Sequence, residues 1–162
     1  MRRALAAVLL ALLPLSAWAG ETRPFIAGSW QALRQAHVGR PLVVHLWSLT
    51  CAPCLAELPR WQALAGQGGG ADLVLVSTDP VEQAPRLTAT LARAGLGGVE
   101  SWAFADSFVE RLRFEIDRRW RGELPRTVLI AADGTVTSVS GMMEADELAA
   151  WLKRETPHAA RP

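Results

Sequence analysis

Cys51 and Cys54, three positions apart in Cys51-Ala52-Pro53-Cys54, are the only cysteines in this 162-residue chain. Such a pair can be a redox dithiol, half of a metal site or a structural bridge. A bridge across two residues closes too small a loop to staple a fold, because loop-entropy stabilisation grows with loop length. A structural zinc site wants four ligands, and beyond the pair the chain offers only His37, His45 and His158, so no metal site is expected. Thiol–disulfide exchange remains. The residues after Cys51 have a helical pattern, which puts Cys51 where unpaired backbone N–H groups and the positive end of the helix dipole favour an anion. A thiol there is acidified and becomes the attacking nucleophile. Cys54, one turn further in, is expected to be buried, to stay protonated until needed, and to resolve the mixed disulfide.

The elements that must hold this pair can be read from periodicity. Leu42–Trp47 (LVVHLW) is an almost wholly apolar run, the pattern of a strand buried on both faces. From Ala52 the apolar residues recur at three- and four-residue steps, with Pro53 in the first turn and Pro59 kinking rather than ending the helix. Upstream, Ser29 is predicted to cap a helix over 29–37. Downstream, glycines at 66–70 make a turn before a buried strand at 73–77, followed by a helix over 81–94, a short strand at 101–104 and a helix over 107–114. A buried strand at 127–130 turns at Asp133-Gly134, a strong hairpin signal, into a strand at 136–140. A final amphipathic helix covers 143–154, and the tail 156–162 is expected to fray. Strand–helix–strand crossovers followed by a hairpin and a last helix predict an α/β fold with a central mixed sheet covered by helices on both faces.

Compartment is legible at the start of the chain. Arg2-Arg3, an apolar run from residue 4 to 13 and the small-residue site Ala17-Trp18-Ala19 describe a cleaved secretory signal peptide over residues 1–19. An uncleaved membrane anchor is the other reading of this stretch. No cysteine near the cleavage site is available for lipid attachment. The remaining residues, 20–162, are one domain's length, with no repeat or linker. Of 17 basic residues Arg2 and Arg3 leave with the leader, and the 15 that remain against 16 acidic ones argue against a nucleic-acid partner. Export favours an oxidised cysteine pair.

Four ordered blocks resemble the thioredoxin-like proteins of the TlpA/ResA type, exported bacterial thiol–disulfide oxidoreductases. They are Pro41-Leu42-Val43-Val44-His45-Leu46-Trp47, then Cys51-Ala52-Pro53-Cys54-Leu55-Ala56-Glu57-Leu58-Pro59, Val74-Leu75-Val76-Ser77-Thr78-Asp79, and Leu124-Pro125-Arg126-Thr127-Val128-Leu129-Ile130 with Asp133-Gly134 after it. The resemblance implies a thioredoxin-like fold, with Pro125 as a cis-proline facing the dithiol. The loop at Leu124-Pro125, together with Thr50, would present the surface that meets the substrate chain, and Trp47 would pack beneath the active-site turn. It implies no cofactor. It also implies disulfide-containing exported proteins as clients, among them apocytochrome c or copper-site proteins of respiratory oxidases. Electrons would come from a membrane donor of the DsbD/CcdA type, and the protein would work as a monomer.

Three positions depart from the family. Thr50 replaces the usual tryptophan, and Gly122-Glu123-Leu124-Pro125 carries one residue more than the common Gly-x-Pro. His45 stands where thioredoxin itself has a buried aspartate. A buried neutral imidazole there can take the Cys54 proton, or serve only as a core histidine satisfied by backbone or Trp47. Glu57, one turn beyond Cys54, is given a role near the dithiol by the resemblance, whereas physical grounds favour a solvated carboxylate on the helix face. Arg118-Arg119-Trp120-Arg121 is expected to be an exposed basic loop with Trp120 folded onto the core, and His37 and His158 to be surface residues. Ala52-Pro53 offers the thiolate no donor or charge, which favours a reducing couple. The competing class is a copper chaperone using the dithiol as soft ligands, but the only histidine after the pair is His158.

Overall fold

A computed structural model describes residues 20–65 and 70–159. The leader expected over residues 1–19 and most of the glycine-rich turn lie outside the described residues. Six strands form one sheet: β1 (Thr22–Phe25), β2 (Leu42–Trp47), β3 (Asp72–Pro80), β4 (Glu100–Phe104), β5 (Arg126–Ile130) and β6 (Val136–Ser140). Their order is β1-β4-β3-β2-β5-β6. The first four are parallel neighbours, whereas β5 runs antiparallel to β2 and β6 antiparallel to β5. The helices are α1 (Ser29–Ala36), α2 (Ala52–Ala65), α3 (Ala84–Arg93), α4 (Val109–Ile116) and α5 (Ala145–Ala159), with a short 3-10 turn at Val81–Gln83 before α3. This is the mixed α/β sheet that the sequence predicts.

The two-residue period of β2 explains the two layers. Leu42, Val44 and Leu46 point to a core shared with Trp30, Leu33, Leu112 and Ile116 of α1 and α4. Val43 and Trp47 point the other way, to a core built with Leu58, Trp61, Leu87, Leu91 and Trp151 of α2, α3 and α5. All six residues of β2 are buried. Full burial of each large aliphatic side chain contributes about 1.5–3 kcal/mol, so the strand that leads into the dithiol is anchored from both sides. His45 shares the face of Val43 and Trp47 and is therefore aimed at α2.

Several local expectations change. The strand β1 was not predicted: it is four residues long, contains Pro24 and pairs only with β4, and an edge strand tolerates a proline because one side needs no donor. Ser29 does not cap α1. Gly28 is the N-cap residue, and the Ser29 hydroxyl instead accepts the Ile26 N–H at 2.9 Å. The helix predicted over 107–114 starts two residues later, at Val109, because Asp106 Oδ1 accepts the Phe108 N–H and holds a turn before it. The expected frayed tail is helical as far as Ala159. His37 is not a surface residue: its side chain is 11% exposed, and Nδ1 lies 2.7 Å from Asp72 Oδ2. Pro59 sits inside α2, and the helix continues through it. The hairpin at Asp133-Gly134 forms as predicted, with Gly134 at φ 86° and Ala131 paired to Thr135.

Candidate active site

Cys51 is the last residue before α2, and its carbonyl accepts the first helical N–H, that of Leu55, at 3.0 Å. Its sulfur also accepts the Cys54 N–H, at 3.2 Å, so the side chain caps the helix. Cys51 and Cys54 form a disulfide with a Cα–Cα distance of 5.2 Å. Cys54 is fully buried, while Cys51 is partly exposed beside the exposed Thr50, Ala52 and Pro53. The predicted asymmetry between a more exposed and a buried cysteine is thus present.

The four residues between β2 and Ala52 are tied to the end of β3. Asp79 accepts the Leu49 N–H at 2.7 Å through Oδ2 and the Ser48 hydroxyl at 3.1 Å through Oδ1. Ser77 donates its own hydroxyl to Oδ2 at 2.8 Å. The sequence reading missed Asp79 as a site residue. Its signals were a carboxylate closing a buried strand and a place at the end of the third block of the resemblance, and neither identifies what it holds.

Trp47 is fully buried in the same core as Cys54, and Cys51 packs against that core. Neighbouring His45 is 0% exposed. Its Nδ1 lies 3.2 Å from Thr127 Oγ1, its ring is 4.7 Å from that of Trp61, and its Nε2 is 4.0 Å from Glu57 Oε2. Glu57 corrects an expectation: it is 1% exposed, not a solvated face residue. Its Oε1 accepts the Met143 N–H at 2.8 Å from the loop two residues before α5, which gives the buried carboxyl a partner. Glu57 and Cys54 stand three apart on α2 and so share its buried face. Among the described residues, His45 Nε2 and Glu57 Oε2 have no hydrogen-bond partner.

Burial sets the charge of both groups. It pushes the His45 imidazole down from an ordinary 6.5 to about 3, so the ring is neutral at physiological pH. Burial also raises the Glu57 carboxyl above its usual value, against smaller opposing effects of the Met143 N–H and Arg60. A neutral histidine and a reluctant carboxylate therefore meet on the inner face of the dithiol helix.

The Leu124–Pro125 bond is cis, as the resemblance implies. Leu46 pairs with Arg126, so Pro125 falls at the level where β2 ends and the dithiol loop begins. Gly122, at φ 103°, absorbs the extra residue upstream: a Cβ there would lie 3.2 Å from the Arg113 guanidinium. The Pro125 carbonyl accepts the Gly141 N–H at 2.8 Å, and Arg126 bonds Asp117 and Ser140, which fixes the loop from behind. Trp120 is 4% exposed, folded onto the core as expected, with its Nε1–H donating to the Glu123 carbonyl. Among the described residues no group of three or more His, Cys, Asp or Glu is placed to hold a metal ion.

No family model and no curated protein matches the chain. Solved structures do. A secreted Mycobacterium tuberculosis disulfide oxidoreductase homologous to E. coli DsbE is 21% identical, with a TM-score of 0.58 over 74% of this chain and 85% of that one. A thiol:disulfide interchange protein of the thioredoxin family from Chlorobium tepidum is 18% identical, with a TM-score of 0.58 over 76% and 84%. StoA from Bacillus subtilis is 21% identical, with a TM-score of 0.51 over 70% and 83%. At these identities the likeness is one of fold, and the fold of this chain is thioredoxin-like.

Proposed function

We propose that the protein is a thiol–disulfide oxidoreductase that reduces disulfides of exported proteins through Cys51 and Cys54. The observation that carries this reading is the disulfide itself: a partly exposed, helix-capping cysteine joined to a fully buried one, beside a cis-proline loop. In the reduced protein the Cys51 thiolate attacks one sulfur of the partner's disulfide and expels the other as a thiolate. Cys54 then loses its proton and attacks Cys51 Sγ, releasing the partner's second sulfur. Two electrons pass to the partner, and the Cys51–Cys54 bond re-forms. Glu57 accepts the Cys54 proton in this scheme, because it shares the buried face of α2 and its raised proton affinity suits a thiol better than an ordinary carboxylate. Neutral His45, with Nε2 4.0 Å from Glu57 Oε2, lines the same buried space.

The leader expected from the sequence over residues 1–19 supports delivery to the periplasm, and among the described residues no helix is long and apolar enough to cross a membrane. In an oxidising compartment a reductant needs electrons, and a membrane donor of the DsbD/CcdA type would supply them. Assembly of c-type cytochromes or of oxidase copper sites would supply clients. Trapping tests the scheme. Cys54→Ser should accumulate mixed disulfides with partner proteins, and Cys51→Ser should not; equal trapping by the two variants would overturn the assignment.

A further inference from the structure

Between the end of β2 at Trp47 and the start of α2 at Ala52, the chain must turn and deliver Cys51 to the helix N-terminus. The N–H groups of Leu49, Thr50 and Cys51 find their acceptors within this linker or across it. Leu49 N–H donates to Asp79 Oδ2 at 2.7 Å, Thr50 N–H to Ser48 Oγ at 3.2 Å and Cys51 N–H to the Ser48 carbonyl at 3.2 Å. The Ser48 hydroxyl in turn donates to Asp79 Oδ1 at 3.1 Å. One linker amide therefore ends on the Asp79 carboxylate directly and a second through Ser48.

Asp79 is itself held. Its N–H donates to Ser77 Oγ at 3.0 Å, and the Ser77 hydroxyl returns a bond to Oδ2 at 2.8 Å. Ser77 is 1% exposed and pairs with Trp47 in the sheet. The β3–β4 register shifts between Ser77 and Pro80, an irregularity of the kind that re-aims a side chain at a strand end. The clamp is thus built on the buried sheet, 30 residues from the loop it restrains. Hydrogen bonds to an ionised acceptor are roughly twice as strong as neutral ones.

We propose that Asp79 is a positioning residue for the exchange reaction: its carboxylate fixes the Ser48-Leu49-Thr50 linker and so sets the attacking geometry of Cys51. The inference rests on the thiol–disulfide exchange proposed above. Cys51 Sγ reaches the Cys54 N–H only if the linker ends at the correct point. An ångström of misplacement in a reacting group can cost on the order of 10²-fold in rate.

The test reads only the first attack, using the reduced full-length chain in a Cys54→Ser background and a small aromatic disulfide as probe. The background protein must react for the exchange reading itself to stand. Adding Asp79→Ala should slow attack by about 10- to 100-fold and move its pH profile to higher pH, since Cys51 loses its place at the helix end. Asp79→Asn keeps an oxygen for the Leu49 N–H and turns an amide N–H toward Ser48 Oγ, and it should restore most of the rate. A lowered thermal midpoint with an unaltered attack rate and pH profile in Asp79→Ala would overturn the proposal, as would Asp79→Asn as slow as Asp79→Ala. Should Asp79→Ala not fold, Ser48→Ala decides the matter. It removes the acceptor of the Thr50 N–H and one donor to Asp79, and should slow attack several-fold. A reference rate in that variant would refute the clamp.

Discussion

His45→Asn should remove a specific part of the acid sensitivity of this fold. The imidazole is 0% exposed, and burial lowers it from 6.5 to about 3. Between those two values the unfolded chain binds a proton on His45 that the folded chain refuses. Stability must then fall as pH falls through this window, and His45 adds no further loss below about 3. Each unit is worth about 1.4 kcal/mol, so acidification to about pH 4 spans roughly 2.5 units and costs about 3 kcal/mol through this residue alone. That is a large share of the roughly 5–15 kcal/mol that a domain has in total. Glu57 has the opposite sign. Its carboxyl is raised on folding, so its contribution is complete at low pH and is lost as pH rises through the raised value. Glu57 is present in both proteins, and the difference between them therefore isolates His45. The assay is urea unfolding of the oxidised wild type and His45→Asn at several pH values from neutral to about 4. The variant can be less stable throughout, because asparagine fills less of the space beside Trp61; the pH slope is the readout. Equal losses in the two proteins on acidification would refute the claim that a neutral buried imidazole is what acid attacks.

Glu57→Gln should be at least as stable as the wild type at neutral and alkaline pH, since it keeps an oxygen for the Met143 N–H and removes a carboxylate that resists ionisation there. In single-turnover exchange it should slow resolution of the mixed disulfide by on the order of 10²-fold while leaving the first attack nearly intact; equal slowing of both steps would count against Glu57 as the acceptor of the Cys54 proton. The couple should be reducing, nearer thioredoxin at about −270 mV than DsbA at about −120 mV, because Ala52 and Pro53 add no donor to the thiolate. Equilibration with glutathione measures it, and a DsbA-like potential would reverse the proposed direction of electron flow.

The parts of the site written in local pattern were legible without coordinates. The almost wholly apolar run of β2, the switch to helical spacing after Cys51 and the Asp133-Gly134 turn depend on neighbours a few residues away, and they appear where periodicity puts them. Together they place Cys51 at the start of a helix and Cys54 inside it. The cis bond at Pro125 needed the family resemblance as well, since composition alone does not distinguish cis from trans. What the sequence could not decide was every feature that depends on which distant residue arrives opposite. Glu57 reads as a surface carboxylate because its residue type is seldom buried without a partner, and that partner, the Met143 N–H, comes from 86 residues later. His45 is placed mid-strand by pattern, but its company of Thr127, Trp61 and Glu57 comes from an antiparallel strand and a packed helix. Asp79 follows the same rule, because a carboxylate at a strand end has no meaning until β3 is laid beside β2 and the dithiol linker falls within its reach. Periodicity is set by bonds along the chain, whereas burial and proton affinity are set by contacts across it, and for that reason the nucleophile was legible and its electrostatic floor was not.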